Sequence, residues 1–289
     1  MRRVLIAGCG YVGRELARLF ANHGWETTGL VRSMESVRRL SEEPFRAIAC
    51  NLADPVETTT LLPTFKGIDL IVHCASSGHG GAESYEQVYL AGTRNLLELG
   101  PAKFIFTSST SVYPQNRDEW ISEENPAQPE RETGKILRQA EELALSHVNG
   151  YVARLSGIYG PDRSIILKRF FENSAIIEGD GGRIMNQIHR DDAAGALYFL
   201  GDTVSLPGIY NVTDDTPLSQ KECYAWLAAH FKRPLPPSGP IDTNRKRGVT
   251  SKRVSNAKLK GIGWQPRFTS FMQAVEEDPL LLANLPIAG

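Results

Sequence analysis

Gly8, Gly10 and Gly13 are spaced G-x-G-x-x-G between a short apolar run at residues 4–7 and a stretch with helical periodicity at Val12, Leu16, Leu19 and Phe20. Strand, tight turn and helix in that order suit the pyrophosphate of a dinucleotide. Gly8 permits the turn, Gly10 lacks a Cβ that would block the phosphates, and Gly13 lets the helix pack close to the strand. The helix N-terminus, at Tyr11 and Val12, offers N–H groups without intrahelical partners. A ligand-free strand–helix turn can show the same spacing, so the motif gains its weight from opening an alternating pattern.

Other residues bear on which dinucleotide would fit. An NAD-type site has an acid about 20 residues past the last glycine to hold the ribose hydroxyls. Nineteen residues past Gly13 stands Arg32, followed by Ser33. A guanidinium cannot accept hydroxyl bonds but can fork onto a 2′-phosphate, which favours NADP and leaves NAD as the alternative. Asp54 follows the third apolar run, where the adenine edge belongs; as the residue before Pro55 it could equally cap a helix. Ala75 and Ser76 open a small-residue loop that runs to Gly81, placed to border a ligand, with His79 in its glycine-rich part. His73, just before that loop, reads as a satisfied histidine at a strand end.

The elements that must position these residues alternate along the first two-thirds of the chain. Strand-like runs at 25–31, 45–50, 68–74, 103–107 and 151–155 are separated by amphipathic stretches near 34–40, 56–62, 88–97 and 134–148. Such alternation implies an α/β fold, a Rossmann-type doubly wound parallel sheet with right-handed helical crossovers. From residue 160 the rhythm shortens, so the division is a dinucleotide-binding domain over 1–160 and a smaller C-terminal substrate-side lobe over 161–289. The helix at 191–200 and the strand at 208–212 are expected to return to the main sheet. A net charge of −1 over 289 residues gives no general reason to expect nucleic acid or membrane partners. Four scattered cysteines, no C-x-x-C pair and no long apolar run predict free thiols in a cytoplasmic protein.

Further along, Phe106-Thr107-Ser108-Ser109-Thr110-Ser111-Val112-Tyr113, Arg154-Leu155-Ser156-Gly157-Ile158-Tyr159-Gly160-Pro161 and Ile188-His189-Arg190-Asp191-Asp192-Ala193-Ala194 follow the glycines in order, and Gly261-Ile262-Gly263-Trp264-Gln265-Pro266 comes later. Together these resemble the extended short-chain dehydrogenase/reductase superfamily, the NAD-dependent epimerase/dehydratase group. The resemblance implies a Tyr-x-x-x-Lys pair for acid–base work and a Ser or Thr that orients the substrate oxygen. Ser109 matches that Ser and Lys135 the lysine, which would also hold the nicotinamide ribose, but Arg131 stands at the tyrosine position. An arginine stays protonated and cannot act as an ordinary base; it can stabilise an oxyanion or bind an anionic substrate. Tyr113, Tyr159 and His79 are substitute acid–base candidates, with Glu132 another if the helix register differs. The resemblance implies an NAD(P)-dependent oxidoreductase, epimerase or dehydratase acting on a nucleotide sugar or another polar small molecule, with homodimers common among such proteins. The basic stretch Arg245, Lys246, Arg247, Lys252 and Arg253 would hold a substrate pyrophosphate or form a solvated face. The missing tyrosine supports the alternative, a non-catalytic NADP-binding sensor.

Overall fold

The computed structural model describes residues 1–78, 80–203, 206–242 and 250–285. Strand β1 (Arg3–Ala7) alternates its side chains between two apolar layers, Val4 and Ile6 on one face of the sheet and Leu5 and Ala7 on the other, all four fully buried. A strand buried on both faces is what a continuous apolar run dictates in a parallel sheet covered by helices. Six more strands join it: β2 (Glu26–Val31), β3 (Arg46–Ala49), β4 (Leu70–His73), β5 (Lys103–Ser109), β6 (Gly150–Leu155) and β7 (Gly208–Val212). Their spatial order is β7-β6-β5-β4-β1-β2-β3, and every neighbouring pair is parallel. The order reverses at β1, between β2 and β4, which opens a crevice at the carboxyl ends of the strands.

Helices α1 (Tyr11–Asn22), α2 (Met34–Arg39), α3 (Glu132–Leu145) and α4 (Arg190–Asp202) are the ones that matter for the crevice. Leu16, Ala17 and Phe20 of α1 share one layer with Ala193, Ala194, Leu197 and Leu200 of α4. Ile136, Leu137, Ala140 and Ala144 of α3 share the opposite layer with Phe104, Phe106 and Val152. The single helix expected near 56–62 is instead two short ones, Pro55–Thr59 and Leu62–Phe65. Pro63 has no N–H to continue the first helix, so the chain breaks there.

A third apolar cluster, with Tyr159, Leu167, Phe170, Phe171, Cys223, Leu227, Phe268 and Phe271, forms beyond residue 155, while α4 and β7 pack with the main sheet. Asp192 on α4 ties the late segment down by accepting the backbone N–H groups of Arg267 at 2.6 Å and Phe268 at 3.0 Å. No helix among the described residues is long and apolar enough to cross a membrane.

One buried ion pair sets the rotation of α3. Glu141 receives Arg154 of β6 through Nε to Oε1 at 3.0 Å and Nη2 to Oε2 at 2.7 Å. Ser108 donates its hydroxyl proton to the same carboxylate at 2.5 Å, Arg138 adds a second guanidinium, and the Tyr113 ring lies 4.7 Å from the Arg154 guanidinium carbon. The carboxylate is fully buried and the Arg154 side chain is 1% exposed, so removing one partner strands the other charge in the interior. Glu141→Gln is expected to lower the free energy of unfolding by about 3 kcal/mol in urea titrations. A double change, Glu141→Met with Arg154→Leu, should lose less than that single substitution; a larger loss would mean the pair is net stabilising against an apolar filling.

Candidate functional site

The carboxyl ends of β1, β2, β4, β5 and β6 border a cavity of about 840 Å³, within the range of small-molecule sites. Its floor is backbone. Gly8, at φ +96°, comes so close to the loop after β4 that a Cβ there would lie 2.2 Å from the Ala75 nitrogen. A Cβ on Gly13 would lie 2.3 Å from the Gly8 carbonyl oxygen. The N–H groups of Gly8 and Cys9 both donate to Leu30 O, at 3.0 and 2.9 Å, which locks the turn to the end of β2. Gly10 differs: no atom lies within 4 Å of its would-be Cβ, and it lines the cavity. Helix α1 begins next to it without a capping side chain and without an acid in its first turn. The bare position and the open N-terminal N–H groups fit a dinucleotide pyrophosphate.

At the β2 end, Arg32, Ser36 and Arg39 line the cavity. Ser33 instead caps α2, accepting the Ser36 N–H at 3.3 Å, and Asp54 caps Pro55–Thr59, accepting the Val56 N–H at 2.8 Å. The wall next to Asp54 is made by Asn51, Leu52 and Ala53. After β4 the lining is Ala75, Ser76 and Ser77. His73 is fully buried, with Nδ1 at 3.1 Å from Thr93 Oγ1, and burial pushes its pKa down to about 3, so it is a neutral packing group. His79 lies outside the described residues.

Ser108 and Ser109 both line the far end of the cavity but differ in their bonds. Ser108 gives its proton to Glu141, whereas the Ser109 oxygen accepts the Ser111 N–H at 3.2 Å and donates to no acceptor among the described residues. The expected lysine is not among the cavity-lining residues. Lys135 is exposed and paired with Glu132 at 3.8 Å; Arg131 is the exposed N-cap of α3 and is not among the lining residues either. Two positions are about 200° apart around a helix, so the inward residue is Leu137, which does line the cavity. Glu141, one turn beyond Leu137 and held inward by Arg154, fixes that rotation. Among the described residues no Tyr-x-x-x-Lys pair lines the cavity.

The substitute candidates also lie elsewhere. Tyr113 is fully buried and bonded to Asn211 at 2.9 Å, Tyr159 sits in the third apolar cluster, and Glu132 is exposed. The helix expected near 88–97 runs through Ala82–Tyr85, Glu86–Ala91 and Gly92–Leu97, with a π-helical middle, and what sequence reading missed is its earlier start and the side chains that face the cavity. It brings Tyr85, Gln87, Val88 and Tyr89 to the cavity, and the Tyr89 hydroxyl accepts the Ser77 N–H at 3.4 Å. The one available signal was the pair of tyrosines four residues apart, one turn of a common face. Cys9, Cys50 and Cys74 also line the cavity; burial pushes all three thiols up, Cys9 to about 12 and Cys50 to about 11, which keeps them protonated and unreactive. In the basic stretch, Lys252 donates to Thr250 Oγ1 at 2.8 Å and Arg253 to the Asp118 carbonyl, while Arg245, Lys246 and Arg247 lie outside the described residues.

Residues 4–213 match the NAD dependent epimerase/dehydratase family, a span that holds the seven strands of the sheet except Arg3 of β1, and the cavity floor. This chain belongs to that family. Among its relatives is the Escherichia coli protein YeeZ, 25% identical over 273 residues covering 89% of this chain and 94% of YeeZ. A Methylobacillus flagellatus protein described as a candidate NAD-dependent epimerase/dehydratase superposes with a TM-score of 0.76 at 29% identity, covering 98% of each chain. The dTDP-glucose 4,6-dehydratase of Bacillus anthracis, solved with NAD, shares the fold with a TM-score of 0.82 at 17% identity over 98% of this chain and 97% of its own. Within this epimerase/dehydratase-family chain the glycine turn makes a separable prediction. Gly10→Ala should change the free energy of unfolding by less than about 1 kcal/mol, because its Cβ meets open space. The same variant should weaken dinucleotide binding at least tenfold by calorimetry. Gly8→Ala, strained and clashing, should lose both stability and binding.

Proposed function

We propose that this chain binds NADP(H) in preference to NAD(H) and uses it in oxidoreductase, epimerase or dehydratase chemistry on a polar carbonyl or hydroxyl substrate of the nucleotide-sugar class. The observation that carries the cofactor reading is the β2 end of the cavity, lined among the described residues by Arg32, Ser36 and Arg39, while Glu35, paired with Arg39 at 3.3 Å, is exposed and outside the lining. A 2′-phosphate there would gain charge-assisted bonds, whereas a bare ribose diol would find no lining carboxylate to accept from both of its hydroxyls. When bound, the cofactor supplies hydride exchange at its nicotinamide. The chain supplies the rest: the α1 N-terminus binds the pyrophosphate, and the Ser109 hydroxyl, with its proton uncommitted, orients a substrate oxygen. The nucleotide-sugar class is supported by fold neighbours such as MoeE5, solved with UDP-glucose and NAD, which covers 95% of this chain at 21% identity and a TM-score of 0.77.

Leu137 in the inward position of α3 favours a second reading, a NADP-binding sensor without turnover, because the face that would carry a lysine is apolar. Either way, a hundredfold excess of NADP over its dissociation constant should stabilise the fold by about 3 kcal/mol, with a smaller shift for NAD at equal concentration. Arg32→Ala should make the two thermal shifts equal; a larger shift with NAD in the unaltered protein would refute the Arg32 argument. Turnover across a panel of nucleotide sugars and carbonyl compounds separates the readings, followed as NADPH oxidation for a reductase and by product analysis with NADP+ for the redox-neutral epimerase and dehydratase reactions. Ser109→Ala should cut turnover at least tenfold while leaving the NADPH dissociation constant unchanged, and tight NADPH binding without turnover on any compound would establish the sensor.

A further inference from the structure

Where the two lobes meet, the chain closes one side of the cavity with a turn that is fastened to the phosphate-binding helix itself. Tyr11, the first residue of α1, donates its hydroxyl to Pro161 O at 2.9 Å. Gly160 passes so close to it that a Cβ would lie 2.7 Å from the Tyr11 hydroxyl oxygen. The guanidinium carbons of Arg163 and Arg190 stand 5.1 and 5.3 Å from the Tyr11 ring centroid, at cation–π distance. Arg14, Arg163 and Arg190 all line the cavity here, but their charges are not equally committed. Arg14 donates to Glu43 at 2.6 Å, and Arg190 donates to Asp191 at 2.7 Å and approaches Glu15 at 3.8 Å. Arg163 makes no ion pair among the described residues. It is an uncommitted cation beside the open end of α1, held over a ring that belongs to the same helix.

We infer that Arg163 binds the diphosphate of the dinucleotide, so that the turn at 160–163 is a clamp closing over the cofactor from the second lobe. This rests on the cavity being the NADP(H) site. A nucleotide-sugar substrate also carries a diphosphate, but the stacking on Tyr11 places the guanidinium beside the helix end that the cofactor's phosphates use. A charge-assisted contact of this kind is worth about tenfold or more in affinity. The test is calorimetric titration of wild type, Arg163→Ala and Arg163→Lys with NADPH and with 2′-AMP, which has the adenosine and 2′-phosphate but no diphosphate. UDP-glucose is then titrated with NADPH saturating. The expected result is an NADPH dissociation constant raised about tenfold or more in Arg163→Ala and partly restored in Arg163→Lys, with 2′-AMP binding unchanged. Wild-type NADPH affinity in Arg163→Ala would overturn the clamp while leaving the cofactor reading intact. An equal loss for 2′-AMP, or a loss confined to UDP-glucose, would also overturn it. Failure of wild type to bind NADPH at all would overturn the cofactor reading together with the clamp.

Discussion

The structure depends on a backbone contact with no side chain in it. At Gly8 the end of β1, the start of α1 and the loop after β4 approach to distances at which a single Cβ would force them apart, 2.2 Å from Ala75 N on one side. Gly13 makes the matching approach from the helix, against the Gly8 carbonyl. Close packing at this point aligns the carboxyl ends of β1, β2 and β4, and the alignment creates the crevice. It also leaves the α1 N-terminus facing that crevice without a side chain in the way, which turns an unsatisfied set of N–H groups into an anion site.

Charge is distributed unequally along the cavity, and the inequality has a chemical meaning. Arginines gather at the β2 end and where the turn at 160–163 meets α1, while the far end is lined by Ser77, Ser109, Ser156, Tyr85 and Tyr89. Phosphates suit the first region and neutral hydroxyl or carbonyl groups the second. Two adjacent serines show how finely this is set. Ser108 is tied to the buried Glu141–Arg154 pair, whereas Ser109, one residue on, accepts the Ser111 N–H and lines the cavity with no acceptor for its own proton among the described residues.

The same ion pair accounts for where Lys135 points. By pulling Glu141 inward it turns Leu137 to the cavity and sends Lys135 and Glu132 to solvent, where they pair with each other. An exposed pair of this kind contributes little. The helix is thus anchored by electrostatics on its buried face and presents a greasy surface where acid–base chemistry would need polarity.

What the sequence determined by itself was local. The glycine spacing, the alternation of strand and helix, the arginine just past β2 and the serine that ends β5 follow from backbone sterics, periodicity and short-range order, all of which are written in neighbouring residues. The return of α4 and β7 to the main sheet was legible for the same reason. What only the tertiary structure decided was which way side chains face when two registers were equally open. Lys135 and Leu137 differ by two positions on one helix, and their exposure was settled by Arg154, thirteen residues beyond Glu141 and on another element. Asp54 fitted ligand and cap roles equally well on paper, while for Ser33 no cap role was read; in the structure both accept capping hydrogen bonds, from the Ser36 and Val56 N–H groups. The tyrosines of the π-helix and the Tyr11–Arg163 contact join residues through rotation and long-range packing, a geometry that no short-range pattern encodes.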